Sequence, residues 1–337
     1  HGTTPWVGKR KRQEGAMVKA IVMHEPGGPE VLKWEDVTVG EPSTGEARVR
    51  NTAVGLNFLD TLFRSGAIPM ELPAILGWEA AGIVEAIGGG VTAVAPGMRV
   101  AYHTPNGCYA EERLIKADEL VPLPDAISDD QGAAGILKGM TAQYLLRLTT
   151  RIKAGDTVLV HAAAGGVGLF MCQWAKHLGA TVIGTVGTDE KAALAKAHGC
   201  DHPVVYMRDD FLPVVQEVTG GVGCDAVYDS VGADTIERSW QSVRPHGTVA
   251  SFGMASGPIT PEQLAKQPTD RYFIRTTLQA YNATREDLLA NAKDFFDVVE
   301  SGAVNVTVGQ TFALKDAAKA HAALVGRATT GSTVLKP

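Results

Sequence analysis

The sequence is poor in the features that mark the commonest special classes. It has four cysteines in 337 residues, and Cys108, Cys172, Cys200 and Cys224 show no zinc-site spacing. They are too few and too scattered for a disulfide framework, so reduced thiols in a cytoplasmic protein are expected. There is no excess of one charge: the formal net charge is -6, with both signs interleaved. That excludes a dedicated nucleic-acid or anionic-membrane surface. No apolar run reaches the length of a membrane-spanning helix, and no signal-peptide pattern opens the chain. What is left, 45% hydrophobic and 20% charged residues, reads as a soluble globular chain long enough for two domains.

Residues 1–16 are polar and basic and belong to no periodic pattern. Lys9-Arg10-Lys11-Arg12 resembles a nucleic-acid arm or nuclear signal, but short basic runs are weak signals. A tag remnant ahead of Met17 is the preferred reading.

The N-terminal part is rich in Gly, Pro and short apolar runs. Residues 19–23, 47–54 and 82–87 read as strands, separated by turns such as Pro26-Gly27-Gly28-Pro29 and Pro96-Gly97. This predicts an irregular, mostly antiparallel β domain. The middle changes character. Strands are expected at 157–161, 181–186, 204–206, 226–229 and 248–252, with helical runs at 167–178 and 190–198. Strands alternating with helices imply βαβ units and a doubly wound parallel sheet. The C-terminal part returns to mixed elements: helices at 285–301 and 315–324 and a last strand at 332–335, expected to rejoin the N-terminal domain.

Between the strand at 157–161 and its helix lies Ala163-Ala164-Gly165-Gly166-Val167-Gly168. Gly165 lets a pyrophosphate approach the backbone, and Gly168 lets the helix pack against the strand. The helix N-terminus offers free N–H groups and a positive dipole end. Ala163 replaces the first glycine of the usual fingerprint, so this is a variant dinucleotide turn. The strand–turn–helix context is the one the motif requires.

The tip of the next strand separates NADPH from NADH. NAD enzymes place Asp or Glu there to hold the ribose 2′-hydroxyl. This sequence reads Gly184-Thr185-Val186-Gly187-Thr188, with no carboxylate, and Lys191 follows. Hydroxyls and a lysine accept a 2′-phosphate that a carboxylate would repel. Asp189 and Glu190 read as acids of a helix N-terminus that point away. The cofactor expected is NADPH.

Several motifs in a fixed order carry a family likeness. They are Gly27-Gly28-Pro29-Glu30-Val31-Leu32, Gly55-Leu56-Asn57-Phe58-Leu59-Asp60, Gly77-Trp78-Glu79-Ala80-Ala81-Gly82 and Leu137-Lys138-Gly139-Met140-Thr141-Ala142. The glycine turn, Asp229-Ser230-Val231-Gly232, Ser251-Phe252-Gly253 and Arg327-Ala328-Thr329-Thr330-Gly331 complete the set. From Met17 to Pro337 the chain resembles the zinc-free quinone oxidoreductases, with the zeta-crystallins, of the medium-chain dehydrogenase/reductase superfamily. The resemblance implies an α/β protein: a GroES-like β-rich catalytic domain from residues 17–137 and 282–337, and a Rossmann domain from 138–281. It implies a homodimer through the cofactor domain, for which Arg275–Tyr281 is the candidate edge strand.

Zinc-dependent relatives hold the metal with Cys, His and Cys or Asp. Here the first cysteine position falls at Asn57 and the histidine of Gly-His-Glu at Trp78. His103 has no partner ligands in sequence. No metal is expected.

The resemblance further implies site roles. Asn57 donates to a developing oxyanion, and Asp60 joins it as a catalytic or geometry-holding residue. Lys138 and Thr141 line the nicotinamide ribose or carboxamide. Ala164, Gly165, Gly166, Val167 and Gly168 cradle the pyrophosphate. Gly187, Thr188, Lys191 and Tyr206 bracket the 2′-phosphate, with Arg327 near that group or the nicotinamide pocket. Ser230, Phe252, Gly253 and Met254 lie along the nicotinamide half. The expected reaction is NADPH-dependent reduction of quinones. Reduction of enones or alkenals on the same scaffold, and non-catalytic NADPH binding as in crystallin relatives, are the alternatives. Leu62 and Ile68 stand where bacterial relatives often carry tyrosines, which makes the acceptor pocket more apolar.

Overall fold

A computed structural model describes residues 15–337. The leader expected over 1–16 lies outside the described residues except for Gly15 and Ala16. Ala16 already opens the first strand, Ala16–Met23, and pairs with Val39.

Apolar β-branched runs form the centre of the molecule. Val158, Leu159 and Val160 are fully buried, as expected of a strand covered on both faces. Strand Thr157–Val160 lies third in a six-stranded, wholly parallel sheet. The order is 202–205, 181–186, 157–160, 224–229, 243–251 and 272–275. This is the doubly wound order, and the strand order reverses between Thr157–Val160 and Cys224–Asp229. Ligands bind at such a reversal, outside the carboxyl ends of the strands.

Both ends of the chain build a second, mainly antiparallel sheet. The last strand, Ser332–Lys336, pairs antiparallel with Glu46–Leu56, placing Leu335 opposite Val54 and Thr333 opposite Leu56. Glu46–Leu56 in turn pairs with Glu79–Ile87, and that with Arg99–His103. Beyond the bulges between Arg48 and Val49 and between Asn51 and Ala53, the two faces alternate. Ala53, Ala81 and Ala101 face one hydrophobic cluster, while Val54, Ala80 and Tyr102 face another.

Helix Asp129–Gln143 covers the first of these faces. Ser128 caps it, its Oγ accepting from Gln131 N at 3.2 Å while Gln131 Oε1 accepts from Ser128 N at 2.9 Å, a reciprocal cap that fixes where the helix begins. The helix also packs on helices Gly166–His177 and Arg285–Glu300, so it is buried on nearly every side. It runs continuously across the expected domain boundary at 137/138. The chain passes from one sheet to the other inside a hydrogen-bonded helix, not through a linker.

The edge-strand expectation needs correction. The strand is Tyr272–Arg275, and Leu278–Tyr281 is a short helix. Thr276 N still donates to Ser251 O at 3.2 Å, after which Leu-Gln-Ala-Tyr, without β-branched residues, turns helical. Tyr272–Arg275 is nevertheless the outermost strand of its sheet. No helix among the described residues is long and apolar enough to cross a membrane.

Candidate active site

The glycine turn lies where the sequence places it. Gly165 caps helix Gly166–His177 in an extended conformation. Gly168 is the position of closest approach: a Cβ there would stand 2.2 Å from Ala162 O and 2.8 Å from Ala163 backbone atoms. Only glycine allows the helix to lie so near the strand exit. Residues from the C-terminal segment close the turn from the other side, Gly331 N donating to Ala164 O at 3.1 Å.

A buried hydrogen-bond chain holds the strand ends beneath this turn. Asp229 Oδ1 accepts from Val231 N and Gly232 N, both at 2.9 Å, and Oδ2 accepts from Ser239 Oγ at 2.7 Å. Ser239 therefore has a lone pair to offer His161 Nε2, 3.0 Å away, and His161 Nδ1 faces Thr185 Oγ1 at 2.9 Å. Burial lowers His161 below its ordinary value, so it serves as a neutral donor and acceptor. The chain ties together the ends of three neighbouring strands. It fixes the loop that carries Ser230. That loop is joined to Phe252–Met254: Phe252 N donates to Asp229 O at 3.0 Å and Ala255 N to Ser230 O at 3.2 Å. Among the described residues, no hydrogen bond joins this loop pair to Asn57.

At the tip of strand Thr181–Val186, the predicted phosphate residues converge. Lys191 Nζ donates to Arg327 O at 2.7 Å, and Arg327 Nη1 reaches Tyr206 Oη at 3.3 Å. Tyr206 lies against Gly187. Thr188 caps the following helix, its Oγ1 accepting from Lys191 N. Asp189 is paired with Arg208 at 3.2 Å, so its carboxylate is engaged elsewhere. Partial burial and the Arg327 charge lower Lys191 from its ordinary value. Two cations and a phenol share one ridge, which suits a dianionic group.

Asn57, at the exit of strand Glu46–Leu56, marks the other side. Its Nδ2 donates to Glu79 Oε1 at 3.0 Å. The same carboxylate oxygen accepts from Lys138 Nζ, and Glu79 Oε2 accepts from Leu137 N at 2.9 Å. Glu79 is wholly buried, and Lys138 nearly so. Their charges are mutually compensated, as burial requires. The Lys138 stem lies against Gly166. Sequence reasoning named Asn57 and Lys138 but not Glu79, the group that joins them. Its signal lies in Gly77-Trp78-Glu79, directly after the position where Trp78 replaces the histidine.

Asp60 is turned away from Asn57's amide. Asp60 Oδ2 accepts from Asn57 N at 2.8 Å and from Tyr109 Oη at 3.0 Å. Tyr109 Oη is 2.9 Å from His321 Nε2, and Arg64 Nη1 is 3.4 Å from His321 Nδ1. Arginine can only donate, so the chain runs from Arg64 through His321 and Tyr109 to Asp60. Burial pushes Asp60 up to about 7. Asp60 thus holds the Asn57 backbone. Thr141 Oγ1 is likewise spent on its own helix, donating to Leu137 O at 2.8 Å. Among the described residues, no three His, Cys, Asp or Glu side chains form a metal-holding group. All four cysteines are free and buried.

Residues 43–125 match the alcohol dehydrogenase GroES-like domain family, and residues 166–294 the zinc-binding dehydrogenase family. A quinone oxidoreductase of Pseudomonas aeruginosa is 50% identical over 95% of this chain and 100% of its own. A 2-haloacrylate reductase of a Burkholderia species is 47% identical over 95% of this chain and 99% of its own. The crystal structure of Escherichia coli quinone oxidoreductase complexed with NADPH superimposes with a TM-score of 0.92 at 45% identity, covering 95% of this chain and 100% of that one.

Proposed function

The chain belongs to the quinone oxidoreductase family of the medium-chain dehydrogenase/reductase superfamily, and from that premise we propose that it reduces quinones with NADPH and without zinc. The observation that carries this reading is the Asn57–Glu79–Lys138 unit. It sets an uncharged amide where zinc-dependent relatives place a metal ligand, and the Lys138 stem ties that amide to the glycine turn.

The residues present fit NADPH. Lys191, Arg327 and Tyr206 hold the 2′-phosphate, with Gly187 and Thr188 beneath it. Residues 164–168 hold the pyrophosphate at a helix N-terminus. Ser230, Phe252, Gly253 and Met254 would flank the nicotinamide half, and Lys138 and Thr141 would line its ribose or carboxamide. When bound, the cofactor supplies a hydride.

Asn57 keeps a second amide N–H beyond the one given to Glu79. It donates that N–H to the acceptor oxygen on which charge gathers. Glu79 fixes the amide's rotamer, so no reorganisation is needed as charge develops. Asp60, committed to Asn57 N and Tyr109, positions the loop. A quinone gaining one hydride takes one proton from solvent to become its hydroquinone. What supports a homodimer is the outer edge of strand Tyr272–Arg275, with which no strand pairs among the described residues, and four free cysteines support a cytoplasmic setting.

A second reading, reduction of an activated carbon–carbon double bond, is favoured by the 2-haloacrylate reductase relative and by the apolar Leu62 and Ile68. Purified protein with NADPH and a panel of quinones and enones separates the two. Loss of NADPH absorbance with quinones is expected. Turnover with enones alone would establish the second reading instead, and tight NADPH binding without turnover would leave only a binding protein.

A further inference from the structure

The wall that carries Asn57 and Glu79 holds one more polar group, which the proposed reaction leaves unused. His103 ends strand Arg99–His103 and is 9% exposed. It stands opposite Glu79 in the antiparallel register, and directly opposed residues share a face. Asn57, Glu79 and His103 thus come from three neighbouring strands and lie toward helix Asp129–Gln143. Trp78 belongs to the other face, stacked on Phe63 with centroids 5.6 Å apart.

The protonation of His103 follows from its neighbours. Met140 O is a backbone carbonyl and can only accept, so the Asn291 amide nitrogen faces it, at 3.4 Å. The same nitrogen donates to Asn282 Oδ1 at 3.0 Å. That leaves Asn282 Nδ2 to donate to His103 Nε2, also at 3.0 Å. With Nε2 accepting, a neutral ring carries its proton on Nδ1. Burial pushes His103 down to about 4, so the ring is neutral at pH 7. Nδ1 is buried and has no hydrogen-bond partner among the described residues. An N–H in that position is destabilising until an acceptor meets it.

We propose that His103 donates its Nδ1–H to a second oxygen of the acceptor, opposite the oxygen held by Asn57, and so selects a ring with two opposed carbonyls over an enone with one. The proposal rests on the reductase reading above. The strands of Asn57 and His103 are two spacings apart, roughly 10 Å. A quinone ring with a hydrogen bond at each carbonyl bridges such a span. A compound with one oxygen can meet only one of the two donors. His103 keeps its proton throughout: it is a specificity residue.

Two substitutions separate this role from a structural one. His103→Asn keeps a nitrogen close to the Nδ1 position and gives up the contact with Asn282. His103→Gln keeps the reach to Asn282 and gives up the near donor. The comparison is kcat/KM for 1,4-benzoquinone, kcat/KM for a cyclic enone with one carbonyl, and Kd for NADPH. His103→Gln and His103→Phe are expected to lose about three- to tenfold toward the quinone, the worth of one neutral hydrogen bond. His103→Asn should stay within about threefold of the parent. The enone rates and NADPH binding should not move. A His103→Gln variant as active as the parent, or equal losses on quinone and enone, overturns the proposal alone. A parent protein that turns over no quinone overturns the reductase reading and this proposal together.

Discussion

Glu79 and Lys138 show how one buried pair can serve both folding and chemistry. Both charges are buried, so each depends on the other. Glu79→Gln leaves the Lys138 ammonium uncompensated and is expected to lower stability by about 3–5 kcal/mol in chemical denaturation. Adding Lys138→Met should recover most of that loss, because no uncompensated buried charge then remains. A single variant as stable as the parent would show that the pair is not the compensated unit described here. Asp60 makes a different prediction. Its folded value, about 7, lies above the ordinary 3.8, so the folded state binds the proton more tightly than the unfolded chain. Stability from this group is full below about pH 4 and is lost as pH rises through 7. Asp60→Asn, which keeps an oxygen for Asn57 N and Tyr109, should flatten the fall in urea midpoint between pH 5 and 8. An unchanged slope would mean that another group sets it.

At the scale of elements, legibility tracked periodicity. Strands such as Thr181–Val186 and helices such as Arg285–Glu300 stand within a residue or two of where patterning predicts them. Helix Asp129–Gln143 was legible only as a motif, Leu137–Ala142. It is buried nearly all round, Lys138, Thr141 and Gln143 included, with Gly132, Gly135 and Gly139 on packed faces, so it has no solvent-facing polar stripe to betray its period. Glu79 was hidden for a related reason: its role depends on a lysine 59 residues away. His103 needed the register of two strands and an asparagine 179 residues on. Lys191, in the ridge proposed for NADPH, could be anticipated from a local absence at one strand tip, whereas Tyr206 and Arg327 came only from the family resemblance. Gly139 gives the element-scale prediction. A Cβ there would stand 2.2 Å from Phe295. Gly139→Ala should therefore destabilise by roughly 1–3 kcal/mol and lower kcat by shifting Lys138. Wild-type stability and kcat would show that the helix has room the packing does not suggest.

Across the whole molecule, helix Asp129–Gln143 and the C-terminal segment join the two sheets into one body. The first hydrophobic cluster runs from Ala53 and Ala101 through Met140 to Val158 and Tyr228. The segment 327–331 then reaches back, with Arg327 on the cation ridge and Gly331 on the glycine turn. Among the described residues no strand pairs with the outer edge of Tyr272–Arg275, and Tyr272 is 57% exposed. If that edge pairs with its copy, sedimentation should give twice the chain mass, and Tyr272→Lys should shift the equilibrium toward monomer. A monomer at all concentrations would remove the dimer from the account.

Because Lys191 also braces the Arg327 carbonyl, the ridge is expected to act as a unit. The direct measurement is kcat/KM for NADPH and for NADH in the parent and in Lys191→Ala, with one quinone as acceptor. The ridge predicts a parent that prefers NADPH and a variant that loses about tenfold or more with NADPH, the worth of a charge-assisted contact, while NADH changes by less than about threefold. Equal losses with both cofactors, or a parent that prefers NADH, would contradict it.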